Sequence, residues 1–310
     1  MSYKKLISEL KNVISYDVLQ AGIDSLPSDV NISTMTVCFS FNATLDIKNI
    51  TKWLKLNPDT VIKVGDRELS AKTKKSNKKS ITKMSDLLKE KTEQECKTGK
   101  KRGRKPKAKK NQPKKQKTKK NFYNQISIKV LVPGKQKNKP VNIKLFNNGA
   151  VQMTGCITIQ DSLDAMYNCM NALNNVRAVI VKSKIKEVPF SSKRLVPSDI
   201  ENYKIGMINS GFSIPFMIDR SKLHTLMLNS NIDAQYDRNV HASVIIKHNV
   251  ENSDVTVLAF EKGSIIITGA KNTNQIMETY NYINMYLLEN YVNVCKRAEL
   301  SDNNILGYLE

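Results

Sequence analysis

Polar and apolar side chains alternate without a break from residue 34 to 42. Thr34, Thr36, Cys38, Ser40 and Asn42 fall on one side; Met35, Val37, Phe39 and Phe41 fall on the other. A period of two with one apolar face predicts a strand buried on one side only. The period then changes: Ile47, Ile50, Trp53 and Leu54 recur at helical spacing through IKNITKWLKL, with Asp46 ahead of them as a candidate N-cap. Strands are predicted near Thr60–Val64, at Gln125–Val132 and at Val141–Phe146. Another follows at Ala150–Thr154, after a tight Asn147-Asn148-Gly149 turn. A helix then places Leu163, Met166, Tyr167, Met170 and Leu173 on one side.

A second round has the same order. Strand Gly206–Ile214 precedes a helix with Leu223, Leu226 and Met227. Strands lie near Ala242–His248 and Val255–Phe260. A turn at Glu261–Gly263 and strand Ser264–Thr268 lead to a helix bearing Ile276, Tyr280, Ile283 and Leu287. Each round reads β-α-β-β-β-β-α, an α+β arrangement of antiparallel sheet with helices on one face.

The likeness extends to the letters. FNNGAVQMTG (146–155) and FEKGSIIITG (260–269) align Phe146 with Phe260, Gly149 with Gly263, Thr154 with Thr268 and Gly155 with Gly269, all 114 positions apart. FSFNATLDI (39–47) resembles FSIPFMIDR (212–220) at a spacing of 173, pairing Phe39 with Phe212, Ser40 with Ser213 and Asp46 with Asp219. Self-similarity of this kind marks a duplicated supersecondary unit. The two spacings differ by 59, so the first copy carries an insertion between its early and late strands. Composition locates it: Ala71–Lys120 holds 22 lysines and arginines against 4 acidic residues, a net of +18 out of the chain's +22. The predicted organisation is an N-terminal helical extension (1–27), a first repeat (28–176) interrupted by the basic insertion (71–120), a linker (177–202), a second repeat (203–290) and a C-terminal tail (291–310).

With 310 residues, 40% of them hydrophobic, the chain can build two cored repeats. No apolar run approaches the ~18 residues of a membrane span. The N-terminus, MSYKKLISELKNVISYDVL, is amphipathic with acidic residues, unlike a secretory or transit signal. An intracellular protein that uses no membrane is expected. Cys38, Cys96, Cys156, Cys169 and Cys295 show no CxxC spacing and read as reduced thiols. The three histidines are scattered, so neither metal nor cofactor is expected. Asp161 and Asp164 read as a dipole-favoured first helical turn. Tyr280, Tyr282 and Tyr286 read as core and rim. No catalytic constellation emerges, and an enzyme is not expected.

Strand parity leaves one face uncovered. The first copy contributes Thr34, Thr36, Cys38, Ser40, Ser127, Lys129, Phe146, Gln152 and Thr154. The second contributes Met207, Asn209, Ser213, Ile245, Lys247, Phe260, Ile266 and Thr268. The bland reading is a solvated sheet face. The sharper one weighs the near absence of acid in a lysine-rich chain, and two phenylalanines at symmetry-related strand ends. Such a surface suits the minor groove of DNA, which offers acceptors and sugar edges.

The pattern F-x-x-G-x-x-x-x-T-G-A-K, carried by Phe260, Gly263, Thr268, Gly269, Ala270 and Lys271, resembles the core of the TATA-box-binding protein family. So do YKIGMINSGFSIPFMIDRSKL (203–223) and LDIK (45–48). The resemblance covers roughly residues 30–70 and 120–290. It implies a saddle with helices on its convex face, a general transcription initiation factor that binds and bends TATA-type double-stranded promoter DNA through the minor groove. It further implies a transcription factor IIB-like factor and the RNA polymerase machinery as partners. The family inserts a pair of phenylalanines at each end of its site. Phe146 and Phe260 match the second of each pair, while Tyr123 and His241 stand in place of the first. Thr154 and Thr268 match base-contacting threonines; Lys129 and Lys247 match phosphate-contacting positions. Thr34 and Met207 replace the family's central asparagines, and Thr36 and Asn209 lie beside them in the candidate DNA-binding set. Ala150 and Ser264 stand where the family has lysine.

The basic insertion is like-charged and poor in aromatics, so it is expected to remain disordered. Within it KRGRKPK (101–107) resembles an AT-hook with an Arg102-Gly103-Arg104 core, although Lys105 separates that core from Pro106. A general nucleic-acid-binding or nuclear-targeting tract and a passive solubilising loop are the alternatives. For the whole chain two readings stay open: the initiation factor, or an interaction scaffold of the same fold that holds DNA non-specifically through the insertion. The Lys-, Asn- and Ile-rich composition suits an AT-rich genome, of a large DNA virus or a protist. The expected location is the nucleus or, for a viral protein, a cytoplasmic viral factory or the virion.

Overall fold

The computed structural model describes residues 3–69, 123–133, 139–181 and 184–296. The basic insertion with Cys96, Arg102 and Arg104, and the tail beyond residue 296, lie outside the described residues.

Helices α1 (Tyr3–Val13) and α2 (Tyr16–Asp24) precede the first repeat. That repeat comprises β1 (Asn31–Phe41), α3 (Ile47–Trp53), β2 (Val61–Val64), β3 (Arg67–Glu68), β4 (Gln125–Val130), β5 (Val141–Phe146), β6 (Ala150–Cys156) and α4 (Ile159–Asn174). A separate ribbon of β7 (Arg177–Val181) and β8 (Lys184–Val188), then a 3-10 turn at Pro197–Asp199, lead into the second repeat. It comprises β9 (Ile200–Ser213), α5 (Arg220–Asn229), β10 (Ala234–Gln235), β11 (Ser243–Val250), β12 (Ser253–Phe260), β13 (Ser264–Ala270) and α6 (Thr273–Glu289), followed by α7 (Tyr291–Val294).

Eleven strands form one antiparallel sheet in the order β10-β11-β12-β13-β9-β1-β6-β5-β4-β2-β3. The order is symmetric about the β1–β9 pair: outward from it, β13 answers β6, β12 answers β5, β11 answers β4 and β10 answers β2. The architecture is the α+β one expected from the duplicated pattern. In β1 the alternation is realised as Met35, Val37, Phe39 and Phe41 buried against Thr34, Thr36, Cys38 and Ser40 half-exposed. One apolar cluster runs through both repeats, from Val37, Ile143, Met153 and Leu163 to Ile208, Val257, Ile267 and Ile283.

Local chemistry repeats with the topology. Asp46 caps α3 by accepting from the Asn49 amide at 2.9 Å, and Asp219 caps α5 by accepting from the Ser221 and Lys222 amides at 3.1 Å. Each such cap contributes about 1 kcal/mol. Thr158 and Asp161 form a reciprocal capping box on α4, so Asp161 is a structural residue. Asp164 accepts from the Tyr3 hydroxyl at 2.6 Å, which fastens α1 to α4. That bond, with burial adding, pushes the Tyr3 phenol up to about 12.

Three segments differ from the sequence pattern. The strand predicted from Gly206 begins at Ile200, because two register shifts, one of them a bulge with Asn202 at φ 55, let β9 follow β1 as far as Phe41. Helix α3 stops at Trp53 rather than running through Leu56, since Leu54 turns extended at ψ 124. The stretch 177–202 is largely structured by the ribbon, the 3-10 turn and the start of β9.

The hairpin glycines show how strictly the copies match. Gly149 has φ 85 and Gly263 has φ 83. A Cβ on Gly263 would sit 2.6 Å from the carbonyl oxygens of Ile214 and Phe216; one on Gly149 would collide with those of Phe41 and Ala43, 173 positions earlier. Gly263→Ala is therefore expected to cost more than the ~1–3 kcal/mol of backbone strain alone. Gly65→Ala, with φ 56 but no backbone neighbour within 3.4 Å, should cost only about 1 kcal/mol. Equilibrium denaturation of the two variants checks the difference.

Candidate nucleic-acid interface

Strand registers assemble the exposed residues of the sheet into rows. In the first half Lys129 lies opposite Asn142, Asn142 opposite Thr154, Thr154 opposite Thr36, and Thr36 opposite Met207. In the second half Lys247 lies opposite Thr256 and Thr256 opposite Thr268. The Thr268 hydroxyl donates to Asn209 Oδ1 at 2.6 Å, and Asn209 lies opposite Thr34. Eight of the predicted residues thus fall into two symmetry-related rows that cross the β1–β9 seam. Lys247 Nζ also donates to Thr256 Oγ1 at 2.8 Å, which holds its ammonium on the face.

Phe146 and Phe260 end β5 and β12, opposite Gln125 and Ser243. Both are half-exposed and stand outside the apolar cluster. Tyr123 and His241 lie two residues ahead of Gln125 and Ser243, outside the strands. Tyr123 is 89% exposed; His241 is exposed, its amide held by the Asp237 carbonyl at 2.8 Å. The structure therefore brings Phe146 and Phe260 and the eight residues of the two rows onto the sheet's exposed face.

Asn142, Lys144, Thr256 and Leu258 were missed as members of this face. Counting back by two from Phe146 and Phe260 would have found them. Its near freedom from acid holds at the centre but not at the margins. Glu201 lies opposite Ser40, placed there by the Asn202 bulge. Asp254 lies opposite Asn249 and accepts from its amide at 2.8 Å.

Beside Phe260 the surface is clamped. Glu261 pairs with Lys296 at 2.6 Å and with Arg220, whose Nη1 donates to the Ala242 carbonyl at 2.8 Å. Lys296 and then Arg220 hold the Glu261 carboxyl below its usual 4.5. A carboxylate with a depressed folded-state pKa stabilises the fold above its unfolded value, and the contribution is lost as pH falls through the folded one. The first copy has Ile47 and Asn147 at the places of Arg220 and Glu261, so this clamp belongs to the second half. The thermal midpoint of wild type should exceed that of Glu261→Gln near neutral pH, and the gap should close as pH drops below about 4.5. Melting curves of both proteins across that window check it.

No helix among the described residues is long and apolar enough to cross a membrane. Among the same residues no group of three His, Cys, Asp or Glu could hold a metal ion.

Comparison with known proteins follows the same lines. Residues 203–290 match the family described as "Transcription factor TFIID (or TATA-binding protein, TBP)". A protein of Acanthamoeba polyphaga mimivirus described as TATA-box-binding protein-like is 33% identical over 186 residues, covering 56% of this chain and 49% of that protein. The chain thus spans about half the length of that relative. Among solved structures, Methanococcus jannaschii TBP aligns with a TM-score of 0.45 and 11% identity, over 84% of this chain and 99% of that one. The second repeat is thus similar to the TATA-binding-protein family, and 56% of the chain is similar to a viral TATA-box-binding-protein-like protein.

Proposed function

We propose that the protein is a transcription initiation factor that lies in the minor groove of promoter DNA with the open face of its sheet and bends the duplex. The family supports a TATA-binding-like transcription factor role in general terms. One observation carries the finer reading. Phe146 and Phe260 project at symmetry-related strand ends, off the core, each fixed by a glycine turn whose amide donates to the phenylalanine's own carbonyl, at 3.0 and 3.1 Å. Apolar wedges so placed can enter base steps at the two ends of a site. Unstacking costs a few kcal/mol per step, which the contacts of the bent duplex offset. Between the wedges, Thr154, Thr36 and Met207, then Thr34, Asn209 and Thr268, meet groove edges. Lys129 and Lys247 at the row ends suit phosphates, and Tyr123 and His241 flank the wedges.

On this reading the protein is a binding factor and not an enzyme. Its partners are double-stranded DNA, a transcription factor IIB-like factor and RNA polymerase machinery. It acts wherever promoter DNA resides inside the cell, in the nucleus or in a viral factory. The insertion, with Arg102 and Arg104, adds phosphate contacts that position the chain without reading sequence.

Phe260→Ala and Phe146→Ala should each weaken binding about tenfold, the ~1.4 kcal/mol of one stacking contact, and reduce the bend. Their thermal midpoints should stay near wild type. A substitution that unfolds the chain would show the ring to be core. Deleting residues 71–120 should leave the fold intact, lower affinity, and flatten the dependence on salt by about 0.9 in log–log slope per lost phosphate contact. A preference for AT-rich over GC-rich duplex should survive the deletion. Equal affinity for both duplexes, or loss of all binding without any bend in the intact chain, would instead favour the scaffold held to DNA by its basic segment.

A further inference from the structure

Duplication relates the two halves of the open face, but their chemistry differs. In the second half Ile245, Leu258, Ile266 and Gly211 lie side by side across β11, β12, β13 and β9. The symmetry-related row in the first half is Ser127, Lys144, Gln152 and Cys38, across β4, β5, β6 and β1. An apolar strip in one half is thus a polar, basic strip in the other. None of Ile245, Leu258 and Ile266 belongs to the apolar cluster or packs against it. Among the described residues, the side chains of Lys144 and Gln152 hydrogen-bond to none, whereas Thr268 and Lys247 of the second half are engaged on the face itself.

Unlike strips read unlike base pairs. In the minor groove an A·T pair presents only the acceptors N3 and O2, while a G·C pair adds the guanine N2 amine as a donor. An apolar strip pressed into the groove leaves that amine desolvated and unpaired, which excludes G·C. A glutamine carbonyl can accept from the amine, and the glutamine amide and a lysine ammonium can donate to the neighbouring acceptors. We infer that the target is a composite site of unlike halves: the half under the second repeat must be A·T, while the half under the first takes G·C through Gln152, assisted by Lys144. This inference rests on the minor-groove reading above.

The test measures affinity of the full chain for duplexes with common flanks. Their cores are A·T in both halves, A·T in one and G·C in the other, or G·C in both. A further set replaces guanine by inosine, which removes only the N2 amine. For wild type, the mixed core should bind within about threefold of the all-A·T core and the all-G·C core at least about tenfold more weakly. Inosine should restore the latter. In Gln152→Ile the affinity ratio of mixed to all-A·T core should fall about tenfold, and inosine in the mixed core should recover it. Ile266→Gln, the converse exchange, should raise the all-G·C core relative to the all-A·T core. A mixed core as weak as the all-G·C core in wild type, or a ratio unmoved by both exchanges, overturns the inference while leaving the minor-groove reading standing. A wild type indifferent to all three cores overturns both.

Discussion

The β1–β9 ladder is the contact on which the rest of the molecule depends. Each repeat alone would leave an open edge at its innermost strand, a row of unpaired amides and carbonyls. Pairing the two edges closes both at once and makes one sheet of two halves. The ladder cannot be regular along its whole length. It shifts register between Ile32 and Thr34, between Thr36 and Val37, and again between Cys38 and Ser40. These irregularities add local twist where the halves meet, and they set Thr34 across from Asn209 and Thr36 across from Met207 at the centre of the face. The N-terminal helices secure the seam from the other side. Helix α2 touches both α4 and α6, and Tyr280 on α6 donates to Asp29 at 3.0 Å. Burial, then the Asp29 carboxylate, raises the Tyr280 phenol's pKa above its usual value.

Features with local causes were legible in the sequence. The cap at Asp46, the turns at Gly149 and Gly263, and the alternation through Met35–Phe41 each depend on side chains and dihedrals within a few residues. The open-face candidates followed from parity, which carries faithfully along an unbroken strand. What escaped was set by distant partners. The start of β9 depends on the Asn202 bulge against β1, and with it the face on which Glu201 stands. Two-residue β10 has no pattern of its own and exists by pairing with β11. The seat of α1 depends on Tyr3 meeting Asp164, 161 positions away. Which residues line the candidate site together depends on which neighbours lie opposite, and those emerge only from the registers.

The two copies have kept different things for different physical reasons. Caps and turn glycines satisfy backbone requirements that are the same in both halves, so both copies retain them. Side chains on the open face touch no core, so exchanging Ile266-like for Gln152-like chemistry costs the fold little. The buried face has also diverged. Val37 and Ala165 of the first copy correspond to Ser210 and Thr279 of the second, whose hydroxyls are fully buried with no partner among the described residues. An unsatisfied buried hydroxyl costs about 1–3 kcal/mol. At these two positions the second repeat therefore carries a penalty that the first does not.

The second half also carries the Glu261 clamp with Arg220 and Lys296, beside the wedge at Phe260. On the proposed minor-groove reading its place is mechanically apt. A side chain that enters a base step transmits the resistance of the duplex to the strand end that presents it. A yielding strand end would relax before the DNA bent. In the first half α4 packs on β2, β4 and β6, with α1 and α2 against it. In the second, where α6 keeps Met285 and Leu288 exposed, ion pairs tie the turn after Phe260 to the start of α5 and to the chain beyond α7. The strand end at Phe260 is thus braced by charge, and acid would loosen that brace.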